Sequence, residues 1–303
     1  MISGIIPALV LPMDSSSNPD YDEYKKYLQW VKSAGVTGVA VNADTGEGTT
    51  LTDDERYGVI EAARGAVGSN IMVIAGINGP STDSAVRAAK DAKRAGASAG
   101  LVLPNQLFAG LPLDPNGPVD YHRAISDEAD LDIFLFQFHP SLGGIEYSPE
   151  TLTELSKLKR TVAIKEALFD ARKFAATLRL FRAIAPKVSF LTGNGSFVYE
   201  SFILGCDGAL TGFATLPVKD LVKMFELAKK SAFKEAGEIW ARLSPLADVM
   251  FGQPVSSYRA RTKFALAELG VINAKSVNMR LPLQAVSESE KAVIRRALKS
   301  AEL

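Results

Sequence analysis

Short apolar segments rich in β-branched residues alternate along the chain with longer segments whose apolar positions recur at helical spacing. A helical segment follows each apolar one, and this order is typical of a parallel sheet. The segments predicted as strands are 5–11, 38–42, 71–75, 99–103, 132–138, 161–164, 188–191 and 207–211. The pattern therefore predicts eight strand–helix pairs.

Local signals mark where several of the helices begin and end. Thr52 and Glu55 are spaced as in a capping box, so a helix is predicted to begin after Thr52. Ser148 followed by Pro149 predicts another start, with the serine as N-cap and the proline in the first turn. Gly96 directly follows the helical segment 82–95 and is predicted to end it.

Eight such pairs predict a closed (β/α)₈ barrel over residues 1–228 that contains the active site. A doubly wound open sheet is the alternative that the same alternation permits. Beyond the barrel the strand segments stop, and helices are predicted over 232–250, 255–269 and 288–301. We therefore expect a C-terminal helical domain over residues 229–303.

The charge balance narrows the class of partner. The chain of 303 residues has 34 Lys and Arg and 34 Asp and Glu, so its formal net charge is zero. A nucleic-acid binder needs an excess of basic residues, so we expect no such partner. Neither a secretion signal nor an apolar run of about 20 residues, as a membrane span requires, is recognisable. We expect a cytoplasmic protein whose partners are small molecules or further copies of the chain.

Cysteine and histidine are too scarce for most metal centres. Cys206 is the single cysteine, which excludes a disulfide framework and a thiolate zinc site, and we expect it to be a small core residue. His122 and His139 are the only histidines, which excludes a multi-histidine centre. We therefore expect no metal at the site.

The chemistry of a (β/α)₈ barrel lies where its strands end. Lys165 comes directly after the sixth predicted strand. An amine held in an apolar barrel mouth has a lowered pKa and can form a Schiff base with a ketone. The alternative interpretation is a lysine that has merely reached solvent at a strand end.

Two glycine-containing loops and a histidine lie at other predicted strand ends. The segment 44–50 (Asp-Thr-Gly-Glu-Gly-Thr-Thr) can present N–H groups and hydroxyls to a carboxylate, although an ordinary flexible loop has the same composition. Gly193 and Asn194 follow the seventh strand, where phosphate sites are common in barrels and tight turns are more common still. His139 follows the fifth strand as a candidate acid or base, or as an ordinary loop residue.

Five motifs occur in an order and at separations that identify a family. They are Asp44-Thr45-Gly46-Glu47, Val73-Ile74-Ala75-Gly76, Ile164-Lys165-Glu166-Ala167, Thr192-Gly193-Asn194 and Arg280-Leu281-Pro282. With them the chain resembles the dihydrodipicolinate synthase / N-acetylneuraminate lyase family from about residue 5 to 298. The resemblance implies a (β/α)₈ barrel with a C-terminal helical domain, a homotetramer or dimer, and no cofactor beyond the covalent Schiff base. It also implies that Lys165 binds pyruvate or another 2-oxo acid, and that Thr45 and Gly46 hold its carboxylate.

The chain also departs from the family pattern. Asp44 stands where a threonine or serine is usual, and Gln137 where the family has the tyrosine that transfers protons. Leu142 replaces the arginine that receives the second substrate's carboxylate in the synthases. Asn105 and Gln106 stand where an aromatic residue would reach across the subunit interface.

These departures disfavour the synthase reaction and favour an aldolase or dehydratase acting on pyruvate or a 2-oxo-3-deoxy acid. The candidate catalytic residues are Lys165, Asp44 and His139. The candidate substrate-binding residues are Thr45, Gly46, Gln137, Gly193, Asn194 and Leu210. The glycine-rich loop 109–117 predicts a less charged pocket for the second substrate. A non-catalytic 2-oxo acid binding protein and a dihydrodipicolinate synthase proper are the alternatives.

Overall fold

The computed structural model describes residues 1–109 and 114–303, which form an eight-stranded parallel barrel with helices outside it. The strands are β1 (Gly4–Pro7), β2 (Gly38–Val41), β3 (Met72–Ile77), β4 (Ala99–Val102), β5 (Ile133–Phe138), β6 (Thr161–Ala167), β7 (Ser189–Thr192) and β8 (Gly208–Thr211). They pair in the order β1-β8-β7-β6-β5-β4-β3-β2. The Leu9 N–H donates to the Ala40 carbonyl at 2.9 Å and so closes the ring between the first two strands. The predicted closed barrel is confirmed.

Helices connect the strands and continue beyond β8. Those of the barrel are α1 (Tyr21–Lys32), α2 (Asp53–Val67), α3 (Thr82–Arg94), α4 (Asn116–Glu128), α5 (Pro149–Ser156), α6 (Ala171–Ile184), α7 (Val198–Ile203) and α8 (Val218–Lys229). The C-terminal helices are α9 (Phe233–Met250), α10 (Tyr258–Glu268) and α11 (Glu288–Ser300). The expected domain boundary after residue 228 falls in the last turn of α8, and the division into two domains stays a prediction. None of the described helices combines the length and apolar character needed to cross a bilayer.

The predicted capping signals are present. The Thr52 hydroxyl accepts a hydrogen bond from the Glu55 N–H at 3.2 Å, and the Glu55 carboxylate accepts one from the Thr52 N–H at 2.8 Å. The Ser148 hydroxyl accepts from the Thr151 N–H at the start of α5. Gly96 lies just beyond α3 with φ of +99°, a conformation that L side chains rarely adopt. These helix ends are therefore encoded locally.

The first strand is shorter than the apolar pattern predicts. β1 ends at Pro7, whereas the apolar run continues to Leu11. Leu9 and Leu11 are buried but lie outside the regular strand. An apolar run reports burial, and burial alone does not distinguish a strand from a packed connection.

The sixth strand is longer than predicted. β6 continues past residue 164 to Ala167, because Lys165 stays in register with Leu191 of β7. The charged pair of residues 165–166 interrupts the apolar pattern without interrupting the sheet. Lys165 therefore lies inside the strand, and not in the loop that follows it.

A buried ion pair attaches the C-terminal helices to the loop of residues 44–50, which joins β2 to α2 and is called the 44–50 loop below. Lys263 on α10 places its Nζ 2.6 Å from Glu47 Oε1, and neither side chain is exposed to solvent. The same amine donates to the Asn278 carbonyl at 2.7 Å. Arg280 adds a two-point ion pair with Glu55, both distances being 2.8 Å. The C-terminal part of the chain thus holds one of the loops at the barrel mouth.

We expect Lys263→Met to lower the free energy of unfolding by about 3–5 kcal/mol, because it leaves the Glu47 carboxylate buried without its counter-charge. Urea denaturation at neutral pH measures the change. Lys157→Met, which removes an exposed pair with Glu154, is the matched control and is expected to have little effect. A Lys263 variant as stable as this control would contradict the assigned role of the pair.

Candidate active site

The Lys165 side chain points into the barrel. Side chains alternate along a strand, and its neighbours Ala163 and Ala167 belong to the inner apolar cluster. Lys165 is 6% exposed, and its Nζ lies 4.1 Å from the centroid of the Phe136 ring. Among the described residues, none forms a hydrogen bond or ion pair with this amine.

Burial changes the chemistry of this amine. Desolvation lowers the pKa of Lys165 to about 8, against a smaller opposing influence from the charge of Asp44. A lysine at its ordinary pKa is almost wholly protonated at neutral pH and is a poor nucleophile. Lys165 therefore presents the neutral amine far more often than an exposed lysine does.

A cavity of about 30 Å³ adjoins the amine at the barrel mouth, and Asp44, Thr45, Gly193 and Tyr258 are among the residues that line it. Gly193 approaches the lysine so closely that a Cβ at this position would lie 2.9 Å from Lys165 Cε. Any larger residue would displace the lysine side chain. The glycine of the seventh strand end therefore makes room for the amine.

The 44–50 loop presents backbone donors at the same mouth. In the described part of the chain, the N–H groups of Thr45 and Gly46 have no protein acceptor, although both residues are buried. Gly48 shapes the turn, since a Cβ there would lie 1.8 Å from the Asn42 carbonyl oxygen. Buried N–H groups are nearly always paired, so these two are suited to an anionic ligand such as a carboxylate.

Asp44 is held by two residues of the C-terminal part. The Tyr258 hydroxyl donates to Asp44 Oδ2 at 2.6 Å and lies 3.1 Å from Thr45 Oγ1. Arg259 donates through Nε to the Asp44 carbonyl at 2.7 Å and forms an ion pair with Oδ1. Asp44 lies at the border between the cavity at Lys165 and a larger one.

The larger cavity, of about 480 Å³, has room for the remainder of a substrate. Its described polar lining consists of Asp44, Thr49, Asn78, Asn105, Gln106 and Tyr121. No lysine, arginine or histidine is among the described residues of this lining, and Leu142 occupies part of it. Residues 110–113 of the predicted 109–117 loop lie outside the part that the structure describes. The described lining is thus rich in amides and hydroxyls, with Asp44 as its one carboxylate.

Comparison with known proteins shows the family of the chain. The model of the dihydrodipicolinate synthetase family matches residues 1–301. The chain belongs to this family. Membership confirms the prediction of an enzyme of the class I lyase type that acts through a lysine Schiff base. Within the described residues, no group of three or more His, Cys, Asp or Glu side chains could hold a metal ion.

Individual family members are similar over their whole length. The 4-hydroxy-tetrahydrodipicolinate synthase of Thermodesulfovibrio yellowstonii is 29% identical, covering 100% of this chain and 99% of its own. The chloride-inhibited dihydrodipicolinate synthase of Acinetobacter baumannii, solved with pyruvate, is 27% identical with a TM-score of 0.88, covering 100% and 99%. The Thermotoga maritima enzyme is 26% identical with a TM-score of 0.90, covering 100% and 99%.

Two of the polar residues predicted to bind substrate have side chains engaged elsewhere. Gln137 Oε1 accepts from the Tyr147 N–H at 3.0 Å. Asn194 donates to Glu166 Oε2 at 2.7 Å and accepts from the Phe169 N–H at 2.8 Å. Neither is among the residues lining the cavity at Lys165. Their positions favour support of the strand ends over direct contact with a substrate.

Two further candidates, Leu210 and His139, also lie outside the lining of the cavity at Lys165. Leu210 is part of the inner apolar cluster, and the next residue, Thr211, lines the cavity instead. His139 lines a separate cavity of about 320 Å³ beside the first, and its Nδ1 accepts from the Ser141 N–H at 3.1 Å. Lys165, Asp44, Thr45 and Gly193 are the predicted residues that the cavity at the lysine brings together.

Tyr258 and Arg259 are site residues that the sequence analysis missed. The apolar pattern marked the region only as a helix of the C-terminal part. One signal was present, because Arg259, Arg261 and Lys263 place three cations near the N-terminus of α10. Cations are disfavoured at that end of a helix, so this cluster indicates partners elsewhere in the chain.

We expect Lys165→Met to raise the free energy of unfolding at pH 7 by about 3 kcal/mol, because the folded-state pKa of about 8 lies below the unfolded value of 10.5. Between these pH values the folded protein binds fewer protons than the unfolded chain. The free energy of unfolding of the unaltered protein therefore rises with pH over this range, and its difference from that of the variant decreases. Urea denaturation at pH 7, 8.5 and 10 measures this. A difference that does not depend on pH would contradict the buried, depressed amine.

Proposed function

We propose that Lys165 is the nucleophile of a class I lyase that binds pyruvate or a 2-oxo-3-deoxy acid as a Schiff base. The observation that carries the proposal is the buried Lys165 amine, which has no hydrogen-bond or ion-pair partner among the described residues and shares its cavity with Thr45. A 2-oxo acid carries its carboxylate on the carbon next to its ketone. The loop would hold that carboxylate while the amine attacks the ketone.

The reaction then follows from the chemistry of the amine. The Lys165 nitrogen adds to C2 of the 2-oxo acid, and loss of water leaves an iminium ion. The C4 hydroxyl of an aldol substrate then loses its proton and becomes an aldehyde as the C3–C4 bond breaks, and the iminium ion accepts the electron pair of that bond. In a dehydratase, a proton leaves C3 and hydroxide leaves C4 instead. Both routes pass through an enamine at C2 and C3, which is that of pyruvate in the aldolase and that of the intact substrate in the dehydratase.

The larger cavity favours a second half of the substrate that is neutral and hydroxylated. Asn78 and Tyr121 offer hydrogen bonds to hydroxyl groups. The side-chain amides of Asn105 and Gln106 already donate to backbone carbonyls. The described lining holds no lysine, arginine or histidine to receive a second carboxylate. These features support a 2-oxo-3-deoxy sugar acid as the substrate class.

A dihydrodipicolinate synthase proper is the second candidate, and the names of the relatives favour it. The leucine at position 142 speaks against it, because nothing in the described lining replaces the cation expected there. The third candidate, a non-catalytic 2-oxo acid binding protein, was suggested only by Gln137, which stands where the family has the tyrosine that transfers protons. The homotetramer or dimer and the cytoplasmic location stay predictions.

The purified protein is assayed with a panel of 2-oxo-3-deoxy sugar acids, and separately with pyruvate plus an aldehyde that carries a carboxylate. We expect turnover of a hydroxylated acid, seen as pyruvate release for an aldolase or as a new 2-oxo product for a dehydratase. Lys165→Met is expected to reduce turnover to background, since it removes the nucleophile. Lys173→Met, which removes an exposed pair with Glu146, is the control and should keep full activity.

Turnover of the carboxylate-bearing aldehyde alone would favour the synthase instead. Persistent turnover by the Lys165 variant would overturn the assignment of the nucleophile.

A further inference from the structure

We propose that Thr45, Tyr258 and Asp44 form a proton path that serves the substrate bound at Lys165. This inference rests on the proposed function, because it concerns the enamine that the Schiff base must form. The path leads from the cavity through two hydroxyls to a carboxylate at the border of the larger cavity. Its central member comes from the C-terminal helix α10 and not from the barrel.

The cavity offers few other groups for proton transfer. Of the described residues that line it, only Asp44, Lys165 and Tyr258 are ionisable. β5 contributes Phe136 and Phe138, which have no proton to exchange. His139 lies in the neighbouring cavity, outside this lining. A proton that leaves the substrate therefore has to pass to Asp44, directly or through the hydroxyls.

The hydrogen bonds fix the direction of the hydroxyl protons. Asp44 is paired with Arg259, and an ionised carboxylate only accepts hydrogen bonds. The single hydrogen of Tyr258 is therefore donated to Asp44 Oδ2, at 2.6 Å. The Tyr258 oxygen also lies 3.1 Å from Thr45 Oγ1. While its own hydrogen is on Asp44, this oxygen can accept the hydrogen of Thr45. This leaves the lone pairs of the Thr45 oxygen available to accept a proton from the cavity.

Tyr258 is suited to passing a proton rather than keeping or losing one. The side chain is 7% exposed, and burial raises the pKa of its phenol further above its ordinary value, with Asp44 adding to the effect. The phenolate is therefore disfavoured. A phenol in this position can gain a proton on one side only as it gives one up on the other.

The proton transfer begins at C3 of the bound substrate. The C3–H bond of the iminium breaks, and its electron pair forms the C2=C3 bond while the C=N electrons return to nitrogen. The proton passes to Thr45 Oγ1, the Thr45 proton to Tyr258, and the Tyr258 proton to Asp44, which becomes neutral. When the enamine later attacks an aldehyde, the same path returns one proton to the new alkoxide, and Asp44 becomes a carboxylate again.

Exchange of the pyruvate methyl protons in D₂O isolates this step, because it needs the Schiff base and the enamine but no second substrate. Proton NMR follows the loss of the methyl signal, and borohydride reduction of the same sample measures the final extent of Schiff base. We expect Tyr258→Phe to slow exchange about 100-fold or more, the usual range for losing a general acid–base group. The extent of trapping and the pyruvate concentration for half-maximal exchange should stay unchanged.

Two further variants provide an independent test of the path and a control. Thr45→Val removes the first hydroxyl with little change of shape, so it should slow exchange in the same way even if the Tyr258 variant folds poorly. Tyr199→Phe removes a phenol that donates to the Phe233 carbonyl outside the cavity, and should exchange at the unaltered rate.

Each outcome decides the proposal. Slow exchange with undiminished trapping supports the path. Unchanged exchange in both the Tyr258 and the Thr45 variants overturns it. A parallel loss of trapping and exchange also overturns it, because Tyr258 would then only hold the 44–50 loop in place. If the unaltered protein shows no trapped adduct, the proposed function itself fails, and the path fails with it.

Discussion

The site depends on a lysine amine that is enclosed in the barrel and has no partner in the part of the chain that the structure describes. Burial favours the neutral form of Lys165, whereas the charge of Asp44 at the same cavity favours the ammonium. The Arg259 guanidinium binds that carboxylate and offsets much of its charge. The ion pair between Asp44 and Arg259 therefore helps to keep the amine nucleophilic, and residues of the C-terminal helices influence a reaction that takes place inside the barrel.

The same helices hold the 44–50 loop in place. Lys263 is buried against Glu47, and Arg280 pairs with Glu55 at the start of the following helix. Breaking a buried pair is costly, so these contacts restrict the conformations open to the 44–50 loop. The barrel supplies the proposed nucleophile, and the C-terminal part fixes the groups that face it. Neither part alone contains the whole site.

The barrel was predictable because its strands and helix caps are encoded by neighbouring residues, as in the Thr52–Glu55 box. Lys165, Thr45 and Gly193 were also predictable, since strand ends meet at one mouth and the motifs resemble a known family. Tyr258 was not, because its partner Asp44 lies 214 positions away in the chain and no periodicity reports such a contact. The direction of the Gln137 side chain follows from strand alternation, which turns it away from the barrel interior, toward Tyr147.

The proposed reaction requires that Lys165 bind a 2-oxo acid covalently. Borohydride reduction in the presence of pyruvate, followed by peptide mass spectrometry, tests this directly. We expect one reduced pyruvyl adduct, located on Lys165. An adduct on another lysine, or none with pyruvate or with larger 2-oxo acids, would contradict it.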